Sequence, residues 1–349
     1  MESRYGEDKY LTSYCLNSRI FDEYDVEVTD VVPLRNVYVI FTNKGTKIFK
    51  KLSYGKERFY FIEKAIEYIK RKYPYTIEFE KSSSGDFFAY HEEAIYVLIN
   101  GIEGRECEVY NPVDVVGAAS ALGKLHLASL GIAEELPSEF LCREENISLG
   151  RLKLTIKNDI KLITELQGRL LQFERHNEFD NLFASSGEEI KKALYKCMEL
   201  LENSAYQELI SSREAVVLCH GDLAHHNIII KGEDVWFLDF DYCTIDLRVK
   251  DLADFIDKSI KGSGYDMDKC RDIMMNYENI TPLTFQEKKL LYIYLMYPRD
   301  IISILRSYYN KEKNWEYRVF LDRFDKKLRG REEKELFLEE FFAEYLISK

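Results

Sequence analysis

Between residues 220 and 241 the chain runs His220-Gly221-Asp222-Leu223-Ala224-His225-His226-Asn227, then Ile228-Ile229-Ile230, then, past a short turn, Trp236-Phe237-Leu238-Asp239-Phe240-Asp241. An Asp five residues before an Asn, followed by an apolar hairpin and a second Asp, is the layout of a phosphoryl-transfer site. Asp222 would orient a hydroxyl nucleophile or take its proton. Asn227 and Asp239 would hold Mg²⁺ against nucleotide phosphates, since that hard cation prefers oxygen ligands. Asp241 would either touch the metal or cap the turn. His220 would brace the loop through hydrogen bonds, because a buried ring nitrogen needs partners.

Other chemistries fit these residues less well. His225 and His226 are adjacent, so their side chains diverge, whereas zinc needs three or four converging ligands. No G-x-S-x-G elbow marks a hydrolase.

The elements that would carry these residues follow from periodicity. Val26–Leu34 and Val37–Thr42 are strand-like, and Asn43-Lys44-Gly45 is a tight turn into a third strand, Thr46–Leu52. Side chains alternate along a strand, so Lys50 and Lys51 point to opposite faces. A helix is expected from Gly55 to Tyr73, with Phe59, Ile62, Ile66 and Ile69 at three- and four-residue steps and Pro74 as its stop. Phe87–His91 and Ala94–Asn100 complete five strands. Residues 7–20 read as a short helix. Asn111-Pro112 reads as a helix start, running to about Ser129. A helical region over 150–212, interrupted near Ser185-Ser186-Gly187, precedes a buried strand at Ala215–Cys219. A hairpin, Ile228–Lys231 with Val235–Leu238, follows, and the chain is helical from Val249 onward.

Composition narrows the partners. The 349 residues carry a net charge of -12, which argues against a nucleic-acid partner. No run of eighteen apolar residues marks a membrane span. The start, Met1-Glu2-Ser3-Arg4, lacks a basic-then-apolar signal, so synthesis and folding in the cytoplasm are expected. Seven scattered cysteines without a C-x-x-C read as reduced thiols.

The His-Gly-Asp-x-x-x-x-Asn strip and the later Asp239-Phe240-Asp241 resemble the aminoglycoside phosphotransferase/choline kinase superfamily, relatives of protein kinases. More narrowly the chain resembles the CotS-type spore-coat proteins, through Gly45-Thr46-Lys47-Ile48-Phe49-Lys50-Lys51-Leu52, Ile102-Glu103-Gly104-Arg105-Glu106-Cys107 and Leu122-Gly123-Lys124-Leu125-His126. The resemblance implies an α+β, bilobal protein-kinase-like fold. Its N-lobe, residues 1–100, would have five strands and one main helix. Residues 101–111 would form the hinge, and 112–349 a mostly helical C-lobe carrying the catalytic and metal loops.

The resemblance further implies ATP and Mg²⁺ as cofactors. Lys50 would grip the phosphates and pair with a helix glutamate, Glu63 in first place, with Glu57 and Glu67 as alternatives; Lys51 competes with Lys50 for the register. Adenine would sit near Leu98, Ile99, Asn100 and Gly101. The turn Pro33-Leu34-Arg35-Asn36 departs from the family in having no glycine, leaving Arg35 to offer charge to the phosphates. Asp251 would anchor the loop or cap a helix, and His126 would pack in the core. Two functions stand. In one, the protein is a spore-coat component, deposited with other coat proteins, whose kinase fold transfers phosphate or serves as a scaffold. In the other, it is a cytoplasmic small-molecule kinase of choline, aminoglycoside or homoserine type. The acceptor pocket would come from about 130–212 and 260–349.

Overall fold

The computed structural model describes residues 18–34, 37–91, 93–172 and 174–347. The expected helix at 7–20 falls outside them up to residue 17, and its last residues belong to a 3-10 turn, Ser18–Glu23. Arg35 also lies outside the described residues.

The chain divides into two compact units. The first takes residues up to Glu106 together with His226–Asp241. Its main sheet is antiparallel in the order β1-β2-β3-β5-β4, from β1 (Val28–Leu34), β2 (Val37–Thr42), β3 (Gly45–Lys51), β4 (Ala89–His91) and β5 (Ala94–Asn100). Alternation works as the residue pattern predicts: Tyr38, Ile40 and Phe49 turn inward, joining Leu98 and Tyr96 of β5 and the ring of Tyr24 in one core. The helix α1 (Lys56–Lys70) buries Phe59, Ile62, Ile66 and Ile69. β4 covers only the first half of β5. The segment Glu78–Glu80 covers the rest, Glu80 N–H donating to Leu98 O (2.8 Å) and Asn100 N–H to Glu78 O (2.9 Å).

The hairpin Ile228–Lys231/Asp234–Phe237 belongs to this first unit. It pairs with the short strand Arg105–Glu106. Phe237 N–H donates to Tyr75 O at 3.1 Å, and the Tyr73 hydroxyl donates to Val235 O. A split of the chain at one hinge would leave this hairpin with the C-terminal residues. Strand pairing across more than a hundred residues draws it back.

The second unit holds Cys107–His225 and Tyr242–Lys349. Its helices, single turns aside, are α2 (Pro112–Ala128), α3 (Leu152–Leu170), α4 (Glu178–Glu202), α5 (Arg248–Ile260), α6 (Met267–Glu278), α7 (Phe285–Met296), α8 (Arg299–Tyr309), α9 (Tyr317–Arg329) and α10 (Arg331–Tyr345). Asn111 caps α2 by accepting from Val113 N–H, with Pro112 in the first turn. By length and composition Pro112–Glu135 could cross a membrane, but 67% of that window is buried inside the protein, as in a core helix.

α4 runs unbroken through Ser185-Ser186-Gly187, where the sequence predicts an interruption. A Cβ on Gly187 would stand 2.9 Å from Gln167 Nε2 of α3. The small residues there serve close helix packing rather than a break. A two-stranded ladder, Val216–Cys219 with Thr244–Leu247, holds the stem from which the 220–225 loop leaves.

Candidate functional site

In the first unit β3 delivers Lys50. Its neighbour Lys51 is exposed, whereas the Lys50 ammonium stands 2.7 Å from Asp239 Oδ1 and 2.7 Å from Asp241 Oδ2. Burial alone would lower the Lys50 pKa. The Asp241 and Asp239 carboxylates outweigh it and hold the ammonium above the ordinary lysine range. Asp239 sits in the left-handed region, φ 58°, a placement that costs a non-glycine residue about 1–2 kcal/mol. The preceding residue is pinned, Leu238 N–H donating to Asn227 O at 2.8 Å. Asn227 itself is buried at the start of the hairpin.

Asp241 is held from a second side. The Tyr54 hydroxyl donates to Asp241 Oδ1 at 2.8 Å, and Arg58 of α1 donates to the Asp241 carbonyl at 2.8 Å. The expected Lys50–Glu63 ion pair does not form. Lys50 is engaged by the two aspartates, and the cation beside Glu63 is Lys64, 3.5 Å away. Burial pushes the Glu63 carboxyl above its usual range, with Lys64 opposing. The physical reason lies in the helix: Arg58 and Glu63 are five residues apart, about 140° around α1. With Arg58 turned to Asp241, Glu63 faces elsewhere. Glu67 is no substitute, since it pairs with Lys64 at 2.6 Å.

The donor set suits a hard divalent ion. Two carboxylates already converge on one cation, the Lys50 ammonium, and the Asn227 carbonyl is bonded to Leu238, the residue before Asp239. Mg²⁺ is commonly held by one or two carboxylates while keeping several waters.

The expected adenine-binding run is otherwise engaged. Leu98 lies in the core with its carbonyl bonded to Glu80. Ile99 lies in the ladder between Ile48 and Phe79. Asn100 donates from its backbone to Glu78, its side-chain oxygen accepts from Lys47, and Gly101 N–H donates to Thr46 O at 2.9 Å. The Glu78–Glu80 segment closes this edge, which the sequence reading did not place. The backbone of Ile102 and Glu103, just beyond, makes no hydrogen bond among the described residues.

In the second unit the loop bearing Asp222 is anchored from beneath. Asp251 of α5 accepts from the backbone N–H groups of His220 and, at 2.9 Å, Gly221. His126 Nε2 lies 3.3 Å from the same carboxylate, and its Nδ1 bonds the Tyr277 hydroxyl at 2.8 Å. Burial lowers the His126 pKa despite Asp251. Gly221 takes φ 81°, and a Cβ there would stand 2.3 Å from the Tyr242 carbonyl oxygen, so the loop admits no side chain at that point.

Asp222 itself meets a residue that the sequence reading missed. Lys258 Nζ lies 2.5 Å from Asp222 Oδ1 and 2.8 Å from Asp254 Oδ2. Asp254 also accepts from Leu223 N–H at 3.1 Å and pairs with Arg299 at 2.5 Å. A signal was present: Asp251, Asp254 and Lys258 recur at three- and four-residue steps, one polar stripe on α5.

A family model described as "Spore coat putative kinase YutH" matches residues 17–341. Spore coat protein S of Bacillus subtilis (strain 168) is 23% identical over 284 residues, covering 80% of this chain and 78% of that protein. An aminoglycoside phosphotransferase from Alicyclobacillus acidocaldarius subsp. acidocaldarius DSM 446 has a similar structure, with a TM-score of 0.77 at 16% identity over 95% of this chain and 96% of that one. Spectinomycin phosphotransferase APH(9)-Ia, solved with ADP and spectinomycin, gives 0.64 at 15% identity over 93% and 96%. At such identities the likeness is one of fold: a five-stranded antiparallel sheet with a mostly helical remainder, as in aminoglycoside phosphotransferases.

Proposed function

The chain belongs to the spore-coat family of kinase-like proteins that this model describes, and we propose that it is a coat-associated phosphotransferase passing the γ-phosphoryl group of ATP to a small-molecule hydroxyl. The observation that carries the reading is the convergence of Asp239 and Asp241 on Lys50 in the first unit. When bound, Mg²⁺ would neutralise phosphate charge and shield the incoming nucleophile from it.

The residues have separable tasks. Asn227 and Asp239 would hold the metal, Asp241 supporting them. Lys50 would grip the phosphates, and the open backbone of Ile102 and Glu103 would meet the adenine edge. Asp222 would accept a hydrogen bond from the acceptor hydroxyl and take its proton as the oxygen attacks the γ-phosphorus. The bond from that phosphorus to ADP breaks and ADP leaves. Lys258 fixes the Asp222 carboxylate in place. Glu63 has no part in this scheme. Synthesis in the cytoplasm followed by deposition beside other coat proteins completes the proposal.

A second reading, a scaffold that has lost catalysis, draws on the glycine-free turn Pro33-Leu34-Arg35-Asn36 and on the absent Lys50–Glu63 pair. One experiment separates the two. ADP release from Mg-ATP is measured with a panel of amino-alcohols, sugars and hydroxy acids, for the wild type and Asp222→Ala. An active enzyme shows acceptor-dependent release that falls at least a hundredfold in the variant, with the Mg-ATP melting shift retained. No release with any acceptor, and no shift at millimolar Mg-ATP, would establish the scaffold instead.

A further inference from the structure

The second unit contains a cavity of about 1010 Å³, bounded by α3, α4, α5, α7, α8, α9 and α10. That is the upper end of the ~300–1,000 Å³ typical of small-molecule sites. It stands next to Asp222 in the hydrogen-bond network. The Asp254 carboxylate lines it, Lys258 bridges Asp254 to Asp222, and Arg299, also in the lining, holds Asp254 from the cavity side. Tyr292, Tyr294 and Tyr297 supply apolar wall with polar tips.

The charge of this cavity runs against that of the whole chain. The net charge of the protein is -12, yet Lys and Arg around the cavity outnumber Asp and Glu by nine to seven. Most of these cations have close partners: Lys327 pairs with Asp300, and Arg299 with Asp254 at 2.5 Å. Lys334 of α10 is different. Its closest carboxylate, Asp257, stands 3.7 Å away, beyond hydrogen-bond reach, and its side chain is only 21% exposed. Burial, with Lys327 and Arg299 nearby, disfavours its charge even with Asp257 and Asp300 in the vicinity. An ammonium so placed gains from an incoming anion.

We infer that this cavity receives the phospho-acceptor, and that Lys334, backed by Lys327 and Arg299, takes an anionic group on it, a carboxylate or a phosphate. The acceptors are then hydroxylated acids, and not the cationic amino-alcohols or aminoglycosides. The inference rests on the kinase reading of Asp222 for the word acceptor, but on the cavity alone for the charge.

Calorimetric titration of the full chain without nucleotide, at fixed ionic strength, tests it. D-gluconate and glycerol 3-phosphate represent the two anions, ethanolamine and kanamycin the cations, and inorganic phosphate the bare charge. At least one hydroxylated anion should bind more tightly than inorganic phosphate. Lys334→Gln should weaken it at least tenfold, and Lys334→Arg should restore most of the loss. Lys196→Gln, which alters a cavity lysine already paired with Glu199, should leave it unchanged. Binding by the cations alone, binding by neither class, equal binding of inorganic phosphate, or indifference to Lys334→Gln would each overturn the inference. Failure of the kinase reading looks different: anions bind through Lys334, but no acceptor is phosphorylated.

Discussion

Lys50→Met isolates the arrangement at the centre of the first unit. The Lys50 side chain, 13% exposed, touches two carboxylates at 2.7 Å; the Asp241 side chain is 21% exposed and that of Asp239 40%. Losing one member of a fully buried pair costs about 3–5 kcal/mol and losing an exposed pair at most about 1. Solvent screens Asp239, and the Tyr54 hydroxyl still serves Asp241. A cost of about 2 kcal/mol follows, or a melting temperature lower by roughly 3 °C in a chain of this length.

The same substitution leaves two adjacent carboxylates without their cation, so Mg²⁺ alone should bind better in the variant. A site with a Kd near 1 mM returns about 1.4 kcal/mol at 10 mM ion. Differential scanning fluorimetry over a MgCl₂ series, with NaCl adjusted to constant ionic strength, reads both effects. Lys51→Met, on the exposed face of the same strand, is the control and should change neither. If Lys51→Met costs as much, or Mg²⁺ stabilises wild type and Lys50→Met equally, the Lys50-centred account of the site is wrong.

Three further outcomes are expected. Gly221→Ala should destabilise by about 2–4 kcal/mol, from a positive φ and a backbone clash with the Tyr242 carbonyl, and chemical denaturation measures it. Burial would raise the Asp300 pKa, but Lys261 and Lys327 hold the carboxyl well below the usual range; the stability this gives is present above about pH 4 and lost as pH falls below it, so Asp300→Asn should lower the melting temperature at pH 7 and flatten its acid limb. Among the described cysteines, exposed Cys142 should react first with Ellman's reagent, while Cys197, its thiol pushed up to about 12 by burial, should react only on unfolding.

Local patterns in the sequence foretold the elements well. The five strands and α1 were legible because alternation and three-to-four spacing are local signals; alternation put Lys50 and Lys51 on opposite faces, and only the family resemblance favoured Lys50. What spacing could not reveal were partners chosen by tertiary packing. Glu63 and Arg58 both sit on α1 as charged residues in an apolar pattern, and nothing local says which one faces Asp239 and Asp241. The run Leu98–Asn100 reads as an open strand end until Glu78–Glu80 folds against it; the alternation of Ile77-Glu78-Phe79-Glu80 is a short strand signal, but nothing local names the strand it joins. Lys258 lies 36 residues after Asp222, on a helix whose polar stripe by itself does not say what it faces. Ser185-Ser186-Gly187 misled for the opposite reason, since small residues break isolated helices yet favour packed ones.

The interleaved path of the chain also has a consequence for how the protein is made. The first unit needs His226–Asp241, but the ribosome must produce roughly 135 residues after Glu106 before that segment is complete. At about 5–20 residues per second the delay is about 7–27 s. During that interval the nascent sheet carries Lys50 without its two aspartates, and β3 has no acidic strip to face. The five-stranded sheet lies wholly before Glu106, but the complete unit cannot form until His226–Asp241 has been made. Its completion is a late event, and a fragment ending at residue 106 would be a sheet with an unpaired lysine where a site should be.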